Sequence, residues 1–533
     1  MILAYDCTLR DGMQGEGMSL SVEEKVRVAH ALDDLGIHVI EAGFPASNPK
    51  EVALFERLAG EPFDADIAAF GMTRRRTVAA EHDPGLKALA DCFAPVCTLV
   101  GKTWGLHLEK VTRASPGENL EMIADSVAYL VSRGKRVVYD AEHFFDAWRD
   151  DAVGALDCLR AARSAGAECL TLCDTNGATL PHEVQAVTSQ VISALGGPIG
   201  IHAHNDAECG VANSLAAVQA GATWVQGTLN GYGERCGNAN LVSIIPNLQL
   251  KLGHECLPVE RLVHLTATAH YVDELLNFVP DPDQAYVGKN AFAHKGGMHV
   301  AGVNADPATF EHVDPAAVGN ARELLVSELA GKGTVLSRAA QGGVELDDVT
   351  AEKVTTRVKE LEHAGFQFEA ADGSFDLLIR RETGEYEPLF RLESWRVIAE
   401  KRVGPEGGPG RVQTEATIKV WVDGDRHVHT AEGNGPVNAL DRALRGAIGD
   451  IHPHLARIKL VNYKVRILDE FKATGAVTRV LLDASDGTDT WGAIGVHENV
   501  IEASWDALVD SLEAGMLPGR IHHERTEAPS VPR

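Results

Sequence analysis

Residues 199–210, IGIHAHNDAECG, end a short apolar run in two histidines one residue apart, followed by Asn205 and Asp206. Side chains alternate along an extended strand, so His202 and His204 share one side of it. Two imidazoles on one side suit a divalent cation, and a nearby carboxylate completes a site with positions left for substrate. Asp11, in DCTLRDG, is the candidate carboxylate. Its neighbour Arg10 is placed to hold a substrate carboxylate or to steady a developing oxyanion. Glu142, in DAEHFFD, is a candidate general base or water holder, or else half of an ion pair. Thr175, in CDTNG, can hydrogen-bond a substrate carboxylate or cap the following helix. Glu234, Arg235 and Asn238, in NGYGERCGN, are candidates for orienting the metal-binding groups from behind. His294 and His299, in FAHKGGMHVAG, sit in a glycine-rich segment that could cover a mouth or be plain surface.

Groups so scattered in sequence need a scaffold that gathers strand ends. The first half repeats one unit: helix, glycine, short apolar strand. Gly36, Gly134, Gly166, Gly197 and Gly221 fall where a helix C-terminus wants positive φ. Ser21 and Glu24 form a capping box at the start of the first helix. Candidate strands lie near 2–6, 38–43, 66–70, 92–97, 136–141, 169–173, 199–203 and 224–228. Eight βα units point to an α/β fold of the closed (β/α)8 TIM-barrel type. An open doubly wound sheet is the alternative, disfavoured because no Gly-rich turn follows the first strand. In such a barrel catalytic groups collect at the C-terminal ends of the strands. That is where DCTLRDG, EAGFP, DAEHFFD, CDTNG, HAHND and NGYGERCGN all fall.

Beyond the barrel, expected over 1–265, the pattern becomes helical and irregular over 266–370. From 371 to 520 it is strand-rich and duplicated. Residues 416–448 and 476–512 each read as strand, Asp-Gly turn, strand and helix. An α+β domain with internal duplication is therefore expected, after a Gly/Pro linker, VGPEGGPGR, and before a disordered tail at 521–533. Lys plus Arg total 49 and Asp plus Glu 76, a net charge of −27, which argues against a nucleic-acid partner. Nine cysteines without a CxxC pair argue against a disulfide framework and for a reducing, cytoplasmic setting. The N-terminus does not read as a signal peptide and no apolar run is long enough to span a membrane.

The segments DCTLRDGMQGEG, HAHND, NGYGERCGNANL and HKGGMHVAG together resemble the family of 2-isopropylmalate, homocitrate and citramalate synthases, over nearly the whole chain. DAEHFFD, AFAHKGGMHVAG and EHVDP most resemble its bacterial citramalate-forming branch. The resemblance implies a Claisen-type condensation of acetyl-CoA with a 2-keto acid, pyruvate in that branch, followed by thioester hydrolysis. It implies a divalent metal (Mg, Mn, Co or Zn) held by Asp11, His202 and His204, with Asn238 in its shell. It implies Arg10 and Thr175 on the keto acid, and Glu142 and His299 in catalysis, His299 coming from a neighbouring subunit. A homodimer and an amino-acid effector, isoleucine, at the C-terminal domain follow from the same likeness. Rival readings are a sister synthase taking 2-ketoisovalerate or 2-ketoglutarate, a carbon–carbon lyase on the same barrel, and a catalytically silent amino-acid sensor. The family often has a Tyr in the segment where this chain has Phe310, and some relatives carry an aromatic where Asp140 stands.

Overall fold

The computed structural model describes residues 1–45, 47–325, 331–402, 411–468 and 475–517. The expected tail at 521–533 and nearly all of the Gly/Pro linker lie outside them. Eight parallel strands close into a barrel: β1 Leu3–Asp6, β2 Val39–Gly43, β3 Asp66–Met72, β4 Val96–Lys102, β5 Arg136–Glu142, β6 Cys169–Asp174, β7 Ile199–Ala203 and β8 Trp224–Gly227. β1 pairs with both β2 and β8, so no edge is left open and the doubly wound alternative falls.

Local chemistry places the elements. The Ser21–Glu24 capping box forms in both directions ahead of helix Val22–Leu35. Gly36, which ends that helix, has φ 94°, a conformation that costs glycine little. One expected strand is displaced. Of the run read as 92–97 only residues 92–95 are a connection, and β4 occupies Val96–Lys102. Pro95 has no N–H to give a central ladder, so pairing starts after it.

Alternation divides the barrel. One set of side chains packs against the surrounding helices in the main core, including Ile40, Ile67, Leu99, Leu170 and Ile201. The other set points inward. At the bottom it is apolar: Tyr5, Val39, Ala68, Val96, Val138, Cys169 and Trp224. One level higher it is polar: Glu41, Thr98, Asp140, Thr171 and Gln226, all buried. A polar layer inside a closed barrel is expensive unless its members satisfy one another. Here they form one network that leads to the mouth.

The chain divides into two compact units. The first is Met1–Phe292 with His312–Arg322, and the second is Ala293–Glu311 with Glu323–Arg533. Within the second, two antiparallel three-stranded sheets each carry a helix. Strands Arg391–Arg402, Arg411–Val422 and Asp425–Gly433 precede helix Pro436–Ile448. Strands Lys459–Ile467, Thr478–Ser485 and Thr490–His497 precede helix Val500–Gly515. The duplicated unit is therefore three strands and a helix, one strand more than the sequence pattern displayed. Among the described residues no helix is long and apolar enough to cross a membrane.

Candidate active site at the barrel mouth

Asp11 is set by a tight turn at the end of β1. The backbone N–H groups of Arg10, Asp11 and Gly12 all donate to the Cys7 carbonyl, at 3.1, 2.8 and 3.0 Å. His202 lies on β7 and His204 follows it. Asp11 Oδ2 is 3.1 Å from His202 Nε2 and 3.9 Å from His204 Nε2. All three side chains are buried, and their ligand atoms lie within 4.8 Å of one another. Burial pushes the Asp11 carboxyl up, but Arg10 and then His202 override it and hold it below the usual carboxylate range. His204 is pulled down to about 4 by burial and by His202, so its imidazole is neutral at neutral pH.

Asn238 pairs with His204 through an isolated antiparallel bridge. Its Nδ2 donates to the Tyr232 carbonyl at 3.0 Å. Its Oδ1 is buried with no hydrogen-bond partner among the described residues. Two buried imidazoles and a carboxylate within 4.8 Å of one another fit a divalent cation, and a buried unpartnered carbonyl oxygen on the residue bridged to His204 is compatible with one, so the donor set passes the chemical test for a metal site.

Two residues that the sequence left without a role hold this set in place. Glu41, midway along β2, is fully buried and accepts from Arg10 Nε at 2.6 Å. Its other oxygen accepts from the Tyr5 hydroxyl at 3.1 Å. The Arg10 guanidinium stacks 3.9 Å above the Phe70 ring and lies 3.4 Å from Asp11. Gln226, on β8, sits 2.9 Å from His202 Nδ1 through Oε1 and donates from Nε2 to Asp140 at 2.9 Å and to Thr171 at 3.2 Å. That chain fixes the His202 tautomer, leaving Nε2 to face Asp11. It also gives Asp140 a part: its carboxylate accepts from Gln226 and so orients it. The only foreshadowing was EAGFP at the end of the second strand.

The remaining candidates distribute as follows. Glu142 ends β5 and forms an ion pair with Lys102 of β4 through Oε2, outside hydrogen-bond geometry. Thr175 accepts from the His143 N–H at 2.9 Å. It does not cap the following helix, whose N-cap is Leu180. Arg235 grips Asp206 with two hydrogen bonds, at 2.7 and 2.9 Å, donates to the Thr175 carbonyl, and lies 3.3 Å from Glu234. Arg235 thus ties together the loops after β6, β7 and β8, with Glu234 beside it. His299 belongs to the second unit, where its exposed ring stacks on Phe310 with centroids 4.3 Å apart.

The sequence matches the HMGL-like family over residues 2–270. It matches the homocitrate synthase post-HMGL domain-like family over 286–365 and the LeuA allosteric (dimerisation) domain over 369–516. It is 48% identical to an (R)-citramalate synthase of Synechocystis, with 96% of this chain and 95% of the relative covered. The (R)-citramalate synthase of Geobacter sulfurreducens is 47% identical, with 96% and 97% covered. That of Streptomyces coelicolor is 48% identical, with 96% of each covered. The chain belongs to the (R)-citramalate synthase family. It is an acyltransferase-type enzyme of that family, and the silent-sensor and lyase readings have less support. A 2-isopropylmalate synthase of Methanocaldococcus jannaschii is 28% identical over a similar span. The sister-synthase reading is weaker to that extent.

Proposed function

We propose that this chain condenses acetyl-CoA with pyruvate and water to give (R)-citramalate and CoA, in isoleucine biosynthesis in the cytoplasm. The buried Asp11–His202–His204 set at the mouth carries the reading, together with full-length likeness to (R)-citramalate synthases. A divalent ion held there by Asp11, His202, His204 and Asn238 would act as a Lewis acid on a keto-acid carbonyl. The residues of the chain do the rest. Arg10, pinned by Glu41 and Phe70, presents a guanidinium that cannot swing away and so holds the keto-acid oxygens as charge develops on them. Thr175 keeps its own proton free to donate to a substrate carboxylate. Glu142, paired with Lys102, takes up a proton or positions a water for the two proton-transfer steps. His299 is the second candidate base, supplied by the neighbouring subunit of a homodimer.

We assign residues 1–265 to catalysis, 266–370 to the connector and 371–520 to dimerisation and to feedback by an amino acid, with isoleucine as the effector. The test is a keto-acid panel read by free-thiol release. Pyruvate is expected to give kcat/KM at least about tenfold above 2-ketoisovalerate and 2-ketoglutarate, the scale of one or two misplaced methylenes in a pocket. Preference for either longer acid would replace the pyruvate assignment. No release with any of them would overturn the activity.

A further inference from the structure

A second group of side chains able to hold a metal ion lies near the ends of β4 and β5. His107, Glu142 and His143 each offer a ligand atom, and these atoms lie within 4.8 Å of one another. Three observations mark the group as more than neighbours in a loop. His143 Nδ1 is 3.2 Å from Asp146 Oδ2. A carboxylate behind one ring nitrogen fixes the imidazole and turns the other nitrogen into a lone-pair donor, as behind metal-binding histidines generally. Next, His107 Nδ1 and Glu142 Oε2 are buried with no hydrogen bond among the described residues. The His107 atom is of a rare and costly kind that a cation would satisfy, whereas Glu142 Oε2 already lies against the Lys102 ammonium. Last, the rings are held by packing. His107 meets His143 edge-on with centroids 4.3 Å apart, and Trp104 packs against both. His143 adopts φ 53°, a strained choice for a non-glycine residue, at a point fixed by the Thr175 hydroxyl.

Lys102 works against occupancy. Its ammonium lies against Glu142, and a cation can take that carboxylate only by displacing it. We propose that His107, Glu142 and His143 form a second metal site, for a borderline ion such as Zn2+ or Co2+, guarded by Lys102 and inhibitory when filled. Two imidazoles and one carboxylate select such ions over Mg2+. Ligand atoms around a tetrahedral zinc stand about 3.4 Å apart, within reach of three atoms that already lie inside 4.8 Å of one another. Only the inhibition rests on the proposed function, in which Glu142 serves the substrate. Binding itself does not depend on it.

The test uses crystals of the full chain soaked in Zn2+, with anomalous difference maps at the zinc edge. Two peaks are expected, one among Asp11, His202 and His204 and one among His107, Glu142 and His143. His143→Asn and, separately, His107→Asn should each remove the second peak and keep the first. In equilibrium dialysis Lys102→Met should bind the second zinc about tenfold more tightly and Asp146→Asn about tenfold more weakly, the usual scale for groups behind a ligand. A single peak at the first site in both the unaltered chain and Lys102→Met would overturn the proposal. So would a second peak that survives both histidine substitutions. Failure of the keto-acid panel would leave these peaks where they are.

Discussion

Glu41→Gln separates charge from shape at the mouth. The amide fills the same space, but Arg10 loses the carboxylate that holds its Nε at 2.6 Å. A guanidinium no longer fixed supports the developing charge less well, so kcat/KM for the keto acid should fall roughly a hundredfold, with Tm little changed. A fall of less than about threefold in steady-state kinetics would mean that Arg10 needs no such partner. At this scale the sequence was half legible. An H-x-H at a strand end and a carboxylate before a tight turn declare themselves by type and spacing. Glu41, Gln226 and Lys102 do not. A single polar residue inside an apolar strand reads the same whether it faces helices, solvent or the barrel axis. Only the closed register brings Gln226 between His202 and Asp140.

The turn that carries Asp11 depends on a brace from two helices. Lys25, buried on helix Val22–Leu35, donates to the Leu9 carbonyl at 3.2 Å and to Glu51 at 2.5 Å. Glu51 in turn fits against Gly43, where φ is 150° and an added Cβ would lie 1.7 Å from its carboxylate. Gly43→Ala should therefore cost about 2 kcal/mol or more in denaturant unfolding, through backbone strain and a displaced buried ion pair. A loss under about 0.5 kcal/mol would show that the brace yields freely. Elements were more legible than residues because helix caps and alternation are local signals. Where the reading slipped, one residue decided it. Pro95 moved the fourth strand forward by forbidding a ladder bond. The first strand of each C-terminal repeat, at Arg391–Arg402 and Lys459–Ile467, was missed because it stands apart from the Asp-Gly hairpin that advertised the other two.

At the scale of the whole barrel, Asp6 joins the first strand to the eighth. Its carboxylate accepts from the Thr8 N–H and hydroxyl at 2.7 and 2.9 Å and from the Leu229 N–H at 3.1 Å. Burial nevertheless pushes it from 3.8 up to about 7. Between those values the folded chain holds a proton that the unfolded chain has lost. Its contribution is therefore full below about pH 4 and declines as pH rises towards 7, by at most about 1.4 kcal/mol per pH unit. Asp6→Asn should remove that slope when unfolding free energies are compared from pH 4 to 7. An unchanged slope would assign the pH dependence to other groups. The return of His312–Arg322 to the barrel unit was invisible in sequence. No periodicity distinguishes a segment that packs on the unit it left from one that stays with its neighbours. The central claim, one cation held by the first and seventh strand ends, is tested most directly by Mn2+ titration followed by electron paramagnetic resonance. The unaltered chain should take up one tight ion, and Asp11→Ala and His204→Ala should each weaken it by at least about a hundredfold. Tight uptake that survives both substitutions would contradict the claim.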